Sequence, residues 1–132
     1  MNRRQAILDL SAVCACGAAA TPALACSCVY YRSAADHLRQ VDLLFVGRPL
    51  STTQQDGSLA ATRFRVTRVL KGRRRGLVTV AHPTEVAAGC GVVFTPGRSL
   101  LVAANLQAGR FTTSSCNMPR FSVAEYVAAL RA

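Results

Sequence analysis

The stretch AATRFRVTRVLK, residues 60–71, alternates apolar side chains with arginine and threonine over most of its length. Phe64 and Val66 fall on one side of this alternation, and arginines fall on the other. Such a pattern is typical of a half-buried antiparallel strand with one face on the core and one face in solvent. The alternation slips between Val66 and Val69, which predicts a bulge or a sharp bend of the kind that closed barrels use at corners.

Four further segments have the composition of strands and are separated by turn residues. Asp56-Gly57 is a turn signal ahead of residue 60, and Pro49 is expected to limit pairing beyond the strand that precedes it. The predicted strands are 41–48, 60–71, 77–82, 99–104 and 110–115. Five strands in a closed or nearly closed Greek-key barrel are the OB-fold architecture, so we predict an all-β OB-fold barrel.

Two short helices are expected to flank these strands. Ser33 followed by Asp36 is an N-cap pattern that predicts a helix over 33–40. Ser122 and Glu125 form a capping-box pattern at the start of a second helix near the end of the chain. The apolar face expected for this second helix consists of Val123, Tyr126, Val127 and Leu130.

The first 25 residues have the features of a removed signal peptide. Arg3 and Arg4 precede a mostly apolar stretch, and Ala23-Leu24-Ala25 is a small-residue cleavage signal. We expect cleavage to leave residues 26–132 as one domain of 107 residues in the periplasm or outside the cell. No stretch after residue 25 approaches the roughly 18–20 apolar residues that span a bilayer.

Two alternative export routes stay open. The arginine pair at 3 and 4 allows twin-arginine export, although that route usually carries folded cargo and these cysteines need later oxidation. Lipoprotein cleavage before Cys26 is the other alternative, although Ala23 stands where a lipobox has leucine.

The cysteines predict two disulfides in the processed chain. Of six cysteines, Cys14 and Cys16 leave with the signal peptide, and the remaining four are Cys26, Cys28, Cys90 and Cys116. An even number in an exported domain favours disulfides over a metal site, and a zinc site would also lack the usual C-x₂-C spacing. A bridge between Cys26 and Cys28 would close a strained ring, so each pairs with Cys90 or Cys116, and both pairings are open.

The charge is strongly basic. Processing leaves 14 basic and 5 acidic side chains, a formal charge of +9 before the termini are counted. One cluster stands out, consisting of Lys71, Arg73, Arg74 and Arg75. Between two apolar strands such a cluster is usually a solvated hairpin tip, and otherwise it suits an anionic polysaccharide. Export and the few aromatic residues disfavour a nucleic-acid partner.

No arrangement of catalytic side chains stands out, so we expect neither an enzyme nor a cofactor. His37 falls in the first predicted helix and His82 ends a predicted strand, and the sequence offers no partner for either. Both are expected to be surface or internally hydrogen-bonded histidines.

Six motifs then occur in a recognisable order. They are Cys26-Ser27-Cys28-Val29, Leu44-Phe45-Val46-Gly47, residues 64–72, Cys90-Gly91 with Phe94, residues 100–103 with Gly109, and Thr112-Thr113-Ser114-Ser115-Cys116. Together they cover most of 26–121, and this set resembles the N-terminal inhibitory domain of the tissue inhibitors of metalloproteinases. The resemblance implies a netrin-like OB barrel in which Cys26 pairs with Cys90 and Cys28 pairs with Cys116.

The resemblance also implies a function. The free α-amine and carbonyl oxygen of Cys26 would chelate the catalytic zinc of a target metalloprotease in trans, with Ser27 directed at the specificity pocket. The contact residues that it implies, here called the ridge, are Cys26, Ser27, Cys28, Val29, Tyr30, Ala88 and Gly89.

Three departures from the family bear on target choice and affinity. There is no cysteine for a third bridge, we expect no cysteine-rich domain after this one, and Tyr30 stands where the family usually has proline. The alternative function is a non-inhibitory module of the cell envelope that binds an anionic polysaccharide or a protein partner, or that only scaffolds others.

Overall fold

A computed structural model describes residues 26–87 and 89–132. The predicted signal peptide, 1–25, and Ala88 of the ridge lie outside the described residues. Five strands and two α-helices confirm the mostly β fold that the sequence predicts. In chain order the elements are α1 (Ala34–Gln40), β1 (Leu43–Asp56), β2 (Leu59–Lys71), β3 (Leu77–Pro83), β4 (Leu100–Gln107), β5 (Arg110–Thr112), a 3₁₀ turn (Ser115–Asn117) and α2 (Val123–Arg131).

Each strand pairs with two others. β1 pairs antiparallel with β2 on one side and with β4 on the other. β3 pairs antiparallel with β2 and runs parallel to β5 over a short stretch, and β5 pairs antiparallel with β4. The order β1-β2-β3-β5-β4 therefore returns to β1 as a closed ring of pairings.

The hairpin of β1 and β2 is longer than predicted because Pro49 does not end β1. Pro49 pairs with Phe64, and β1 continues to the predicted turn at Gly57, whose φ is +49°. β4 pairs with β1 only as far as Gly47, so beyond that residue β1 has a neighbour on one side. Proline lacks the N–H that a second neighbour would use, and an edge position tolerates this loss. The expectation that Pro49 limits pairing is therefore wrong.

β2 is irregular where the sequence pattern slips. Gly47 lies opposite Val66 and Val46 lies opposite Arg68, which leaves Thr67 as the extra residue of a bulge. The Thr67 hydroxyl donates to the carbonyl oxygen of Val46 at 3.1 Å. The bulge resets the alternation, so that Val66 and Val69 both pack against the same apolar cluster.

The last two strands differ from the predicted bounds. β4 extends to Gln107, whereas β5 ends at Thr112 instead of residue 115. Thr113 is buried and its hydroxyl donates to the carbonyl oxygen of Ala103 at 2.6 Å, which draws the chain off the strand path. The 3₁₀ turn that follows carries Cys116.

Two apolar clusters lie on opposite faces of the strands. Phe64 is central to the larger one, with its ring centroid 5.4 Å from that of Phe45 and 4.9 Å from that of Phe94. The larger cluster consists of Leu43, Phe45, Phe64, Val78, Val80, Phe94, Val102 and Ala104. The smaller cluster packs the helices onto β1 and β4 and consists of Ala34, Leu38, Val41, Leu44, Ala103 and Tyr126.

Both predicted helix starts are confirmed. The Ser33 hydroxyl accepts from the backbone N–H of Asp36, and Ser122 and Glu125 form a complete capping box. The prediction that Leu130 belongs to the apolar face of α2 is wrong, since its side chain is exposed. Its neighbour Ala129 packs against the smaller cluster instead.

Candidate functional site

Two disulfides hold the N-terminal segment against the strands. Cys26 is bonded to Cys90 and Cys28 to Cys116, each pair with Cα atoms 5.0 Å apart. This is the pairing that the family resemblance implies. The two bridges lie side by side, since the Cys26 and Cys116 sulfur atoms are 3.2 Å apart.

The same sulfur atoms bear on the zinc alternative. Those of Cys26, Cys90 and Cys116 lie within 4.8 Å of one another, a spacing that a metal ion could use. Zinc binds the thiolate form of cysteine, and sulfur atoms committed to disulfides have no thiolate to offer. The sulfur cluster of this structure is therefore a pair of bridges.

The ridge residues on the N-terminal side project into solvent. Residues 26–32 form no helix or strand, and Ser27 is exposed. Val29 and Tyr30 are 82% and 63% exposed, which is unusual for side chains of their size. The Arg120 guanidinium lies 4.1 Å from the centroid of the Tyr30 ring and supports it from one side.

The loop that carries Cys90 is held by its own backbone. The carbonyl oxygen of Glu85 accepts from the N–H groups of Gly89 and Gly91, at 3.1 and 2.8 Å. A Cβ atom on Gly91 would lie 2.5 Å from the Glu85 backbone, so the loop requires glycine there. Cys90 between them has φ +55°, and its carbonyl oxygen accepts from the N–H of Ser115 at 2.9 Å. These contacts fix the position of the sulfur that holds Cys26.

Exposed apolar side chains on the same loop are missing from the sequence-based ridge. Val86 and Val93 are 66% and 67% exposed, on either side of the Cys90 disulfide. Gly89 of the predicted ridge is half-buried, and its N–H is used inside the loop. The signal available in the sequence was the position of these valines between two strands and close to a cysteine.

A buried polar network lies beneath the N-terminal segment and joins α1 to α2. His37 is buried, with Nδ1 2.7 Å from the Tyr126 hydroxyl and Nε2 3.1 Å from the Asn117 side-chain oxygen. The amide oxygen accepts only, so Nε2 carries the proton and Nδ1 accepts from Tyr126. Tyr31 stacks on His37 with ring centroids 4.5 Å apart, which connects the N-terminal segment to the network.

Burial also shifts the pKa of one member of this network, Tyr126. It raises the pKa of the Tyr126 hydroxyl above its usual range, because the phenolate would be removed from water. The hydroxyl therefore keeps the proton that it donates to His37. Asn117 is the neighbour of Cys116, so the network reaches the residue that anchors one of the bridges.

The second histidine lies in another buried chain of hydrogen bonds. His82 Nδ1 lies 3.1 Å from the carbonyl oxygen of Pro83, and Nε2 lies 2.7 Å from the Thr62 hydroxyl. Thr62 is in turn 2.7 Å from the Thr52 hydroxyl, across β1 and β2. Both histidines are internally hydrogen-bonded, which is one of the two environments expected from the sequence. The expectation that neither has a partner is wrong.

The predicted basic cluster lies at the connection between β2 and β3. The Lys71 ammonium donates to the carbonyl oxygen of Leu38 near the end of α1, so this lysine serves the fold. Arg73, Arg74 and Arg75 are exposed between β2 and β3, as expected for a solvated connection. Arg74 leans over the Phe111 ring of β5, with its guanidinium 5.3 Å from the ring centroid. All four residues of the predicted cluster line one open cavity at the connection between β2 and β3.

Comparison with known proteins finds no family model that matches this chain and no curated protein that matches it in sequence. Among the described helices, none has the length and apolar character needed to cross a membrane.

Proposed function

We propose that this protein is an exported inhibitor of zinc metalloproteases, related in design to the tissue inhibitors of metalloproteinases. The observation that carries the proposal is the ridge, in which Cys26 and Cys28 are bridged to Cys90 and Cys116 and leave Ser27 exposed between them. A segment held at both cysteines loses little conformational freedom when it binds, and such preorganisation favours affinity.

The strand arrangement supports a netrin-like OB barrel. The ring β1-β2-β3-β5-β4 contains five strands, with one parallel pairing between β3 and β5. Long strands such as β1 and β2, with a bulge at Thr67, are features that closed barrels use. The helices pack on β1 and β4 through the smaller cluster, and Val29 and Tyr30 of the ridge stay largely exposed.

Export and processing belong to the same proposal. Residues 1–25 would be removed, which places the working protein in the periplasm or outside the cell. Two disulfides suit an oxidising compartment of this kind. In the full chain the nitrogen of Cys26 is an amide and a poor metal ligand, so cleavage before Cys26 is the step that would create the inhibitor.

After cleavage, Cys26 would bring two ligand atoms to the target. Its α-amine and carbonyl oxygen form a five-membered chelate on the protease zinc and displace the water that attacks the substrate. Its sulfur is bonded to Cys90 and only orients these atoms. The zinc belongs to the protease, and Ser27 is directed at the pocket beside it.

The rest of the ridge supplies contact area. Val29 and Tyr30 are exposed apolar side chains beside the chelating residue, and aromatic anchors are common at the centres of interfaces. Val86 and Val93 extend the same apolar character onto the Cys90 loop. Tyr30 in place of the family's proline makes this surface larger and gives it a cation–π contact with Arg120.

The proposal is tested by blocking one amine. Lys71 is the single lysine of the sequence, so a Lys71→Arg variant, exported and processed, carries its α-amine as the one amine that cyanate carbamylates. N-terminal sequencing first establishes that the protein begins at Cys26. We expect the unmodified variant to inhibit members of a panel of zinc endopeptidases and the carbamylated form to lose inhibition by a factor of 100 or so, about 3 kcal/mol.

Two outcomes contradict the proposal. Equal inhibition by the carbamylated and unmodified proteins excludes chelation by the amine, and insertion of one alanine before Cys26 repeats the test without chemistry. Inhibition should also weaken as the pH falls below neutrality, because the α-amine, with a pKa of about 8, must lose its proton to bind zinc. An inhibition constant that does not change between pH 8 and pH 6, after correction for the protease alone, also excludes the amine as the ligand.

A further inference from the structure

A row of arginines crosses the outer face of β1, β2 and β3. Arg48 on β1 lies directly opposite Arg65 on β2, and Arg63, two residues along β2, lies opposite Thr79 on β3. All three arginines are exposed, whereas Phe64 between the last two is fully buried on the inner face. The Cβ atoms of two residues paired across neighbouring strands lie about 5 Å apart, and those of residues i and i+2 on one strand lie about 7 Å apart. The side chains of the three arginines therefore share one small area of the surface.

Thr79 connects this row to a cavity at β3 and β5. The cavity has a volume of about 280 Å³ and includes Thr79, Arg74, Arg110 and Phe111 in its lining. Arg74 lies over the Phe111 ring, and Arg110 donates to the side-chain oxygen of Gln55 at 2.7 Å. A continuous arginine band therefore runs from β1 to β5, and it consists of Arg48, Arg63, Arg65, Arg74 and Arg110.

The acidic side chains of the described residues do not neutralise the arginine band. Arg39 and Asp36 of α1 make the one ion pair found within 26–87 and 89–132. Asp42 accepts from the N–H of Leu106 at 2.7 Å, and Glu125 closes the capping box of α2. Like charges directly opposite one another destabilise a pair of strands, so Arg48 and Arg65 carry a repulsion that a bound anion would relieve.

We propose that the arginine band binds an anionic polysaccharide, laid across β1, β2 and β3 with one end at the cavity. Guanidinium groups match the oxygen pairs of sulfate and carboxylate groups with two parallel hydrogen bonds. Single-stranded nucleic acid is bound largely by stacking on aromatic rings. The paired positions 48, 63, 65 and 79 carry no aromatic side chain, and Arg74 already covers Phe111. The chemistry therefore favours a saccharide polymer.

This inference is independent of the inhibitor proposal, since the residues of the arginine band and of the ridge are different sets. It also places the anion site elsewhere than the sequence-based cluster did. The arginine band shares Arg74 with that cluster, while Lys71 is bound to Leu38 and Arg73 and Arg75 line a separate cavity at the connection between β2 and β3.

The test compares two variants of the exported protein with equal charge. In the band variant Arg48, Arg63 and Arg65 become Gln, and in the matched control three exposed arginines elsewhere, Arg32, Arg98 and Arg131, become Gln. Binding of size-fractionated heparin is titrated at several NaCl concentrations. We expect the band variant to lose about 3 from the slope of log affinity against log salt and to bind at least tenfold more weakly near 0.15 M salt, and the control to change less than threefold.

Each other outcome overturns the proposal. Equal loss in the two variants means that net charge alone attracts heparin, and no binding by the parent protein removes the site altogether. Tighter binding of duplex DNA than of heparin at the same salt assigns the arginine band to nucleic acid instead. Thermal unfolding shows whether the band variant is folded. Its melting temperature should equal or exceed that of the parent protein, because the repulsion between Arg48 and Arg65 is gone. If it unfolds, Arg65→Gln alone should still lower the slope by about 1.

Discussion

The ridge and the strand ring are held in place by different forces. Among the described residues, 26–32 and the loop around Cys90 form no helix or strand, and they are fixed by disulfides, a few backbone hydrogen bonds and, in the loop, the buried Phe94. The strand ring has continuous backbone pairing around a core that includes Phe45 and Phe64, both fully buried. Large apolar side chains are thus inside the ring and outside on the ridge.

Because of this difference, we expect the ridge to depend on the strand ring, whereas the ring does not depend on the ridge. The ridge is anchored on Cys90 and on Cys116 in the 3₁₀ turn, and both positions exist only when the strands have formed. Within 26–87 and 89–132, neither apolar cluster of the ring includes a ridge residue, so we expect the ring to pack without the ridge. A change in the core should therefore disrupt both regions, whereas a change in the bridges should disrupt the ridge more than the ring.

The largest effect is expected from Phe64→Ala. Phe64 packs edge to face on Phe45 and Phe94 at the centre of the larger cluster, and its truncation leaves a cavity that the closed ring cannot collapse into. We expect a loss of about 4 kcal/mol in the free energy of unfolding, from urea titrations followed by circular dichroism. Val93→Ala, at a position 67% exposed, is the control and should change stability by less than about 0.5 kcal/mol. A loss below about 1 kcal/mol at Phe64 would contradict the view that the ring depends on this core.

Replacing both members of one bridge by serine should have the next largest effect. The spans of the two bridges are similar, at 88 residues for Cys28–Cys116 and 64 for Cys26–Cys90. Chain entropy therefore predicts that each replacement costs about 2–5 kcal/mol, with only about 0.3 kcal/mol between them. The far-ultraviolet circular dichroism of the folded ring should persist, while trypsin should cut after Arg32 much faster.

The two double-serine variants can also contradict the claim that the ring does not depend on the ridge. If the strand signal is lost at 25 °C together with the ridge, the bridges hold the ring as well and the dependence runs both ways. Comparing the two serine pairs removes the effect of losing a bridge as such, because only the replacement of Cys26 and Cys90 releases position 26, whose amine and carbonyl oxygen are the predicted zinc ligands.

The ring could be predicted largely from the sequence because each of its strands carries its own signal. Phe64, Val66 and the slip before Val69 predict both a half-buried strand and its bulge, and these depend on neighbours along the chain. Pro49 misled because a local rule about proline cannot tell whether a strand has one neighbour or two at that residue. Whether β1 has one neighbour or two at Pro49 depends on where the pairing with β4 ends.

The ridge could be predicted only in part, since its geometry depends on contacts between distant residues. Spacing alone left two disulfide pairings open, and only the family resemblance chose between them. The backbone hydrogen bonds from Gly89 and Gly91 to Glu85, and the network of His37 with Tyr126, have no signature in composition or periodicity. The arginine band depends likewise on register, which places Arg48 opposite Arg65.

The smallest effect is expected from Tyr126→Phe, which tests the connection between the helices and the ridge. The change removes the hydroxyl that donates to His37 and should cost about 1–2 kcal/mol at pH 7. The raised pKa of Tyr126 adds a dependence on pH. The unfolded chain loses the tyrosine proton near pH 10, while the folded protein keeps it to higher pH. This contribution to stability is therefore complete below about pH 10 and is lost as the pH rises from there toward the pKa of the folded state.

The phenylalanine variant should accordingly lose less stability than the parent between pH 9.5 and 11, measured by urea unfolding at each pH. Tyr30→Phe is the matched control, because it removes a tyrosine that is 63% exposed and should leave the parent's slope unchanged. Identical slopes for the parent and Tyr126→Phe would mean that the buried hydroxyl does not hold its proton as the network requires. Tyr31 stacks on His37, so a network that loses this proton should also loosen the segment that carries the ridge, and trypsin cleavage after Arg32 should accelerate over the same pH range in the parent but not in Tyr126→Phe.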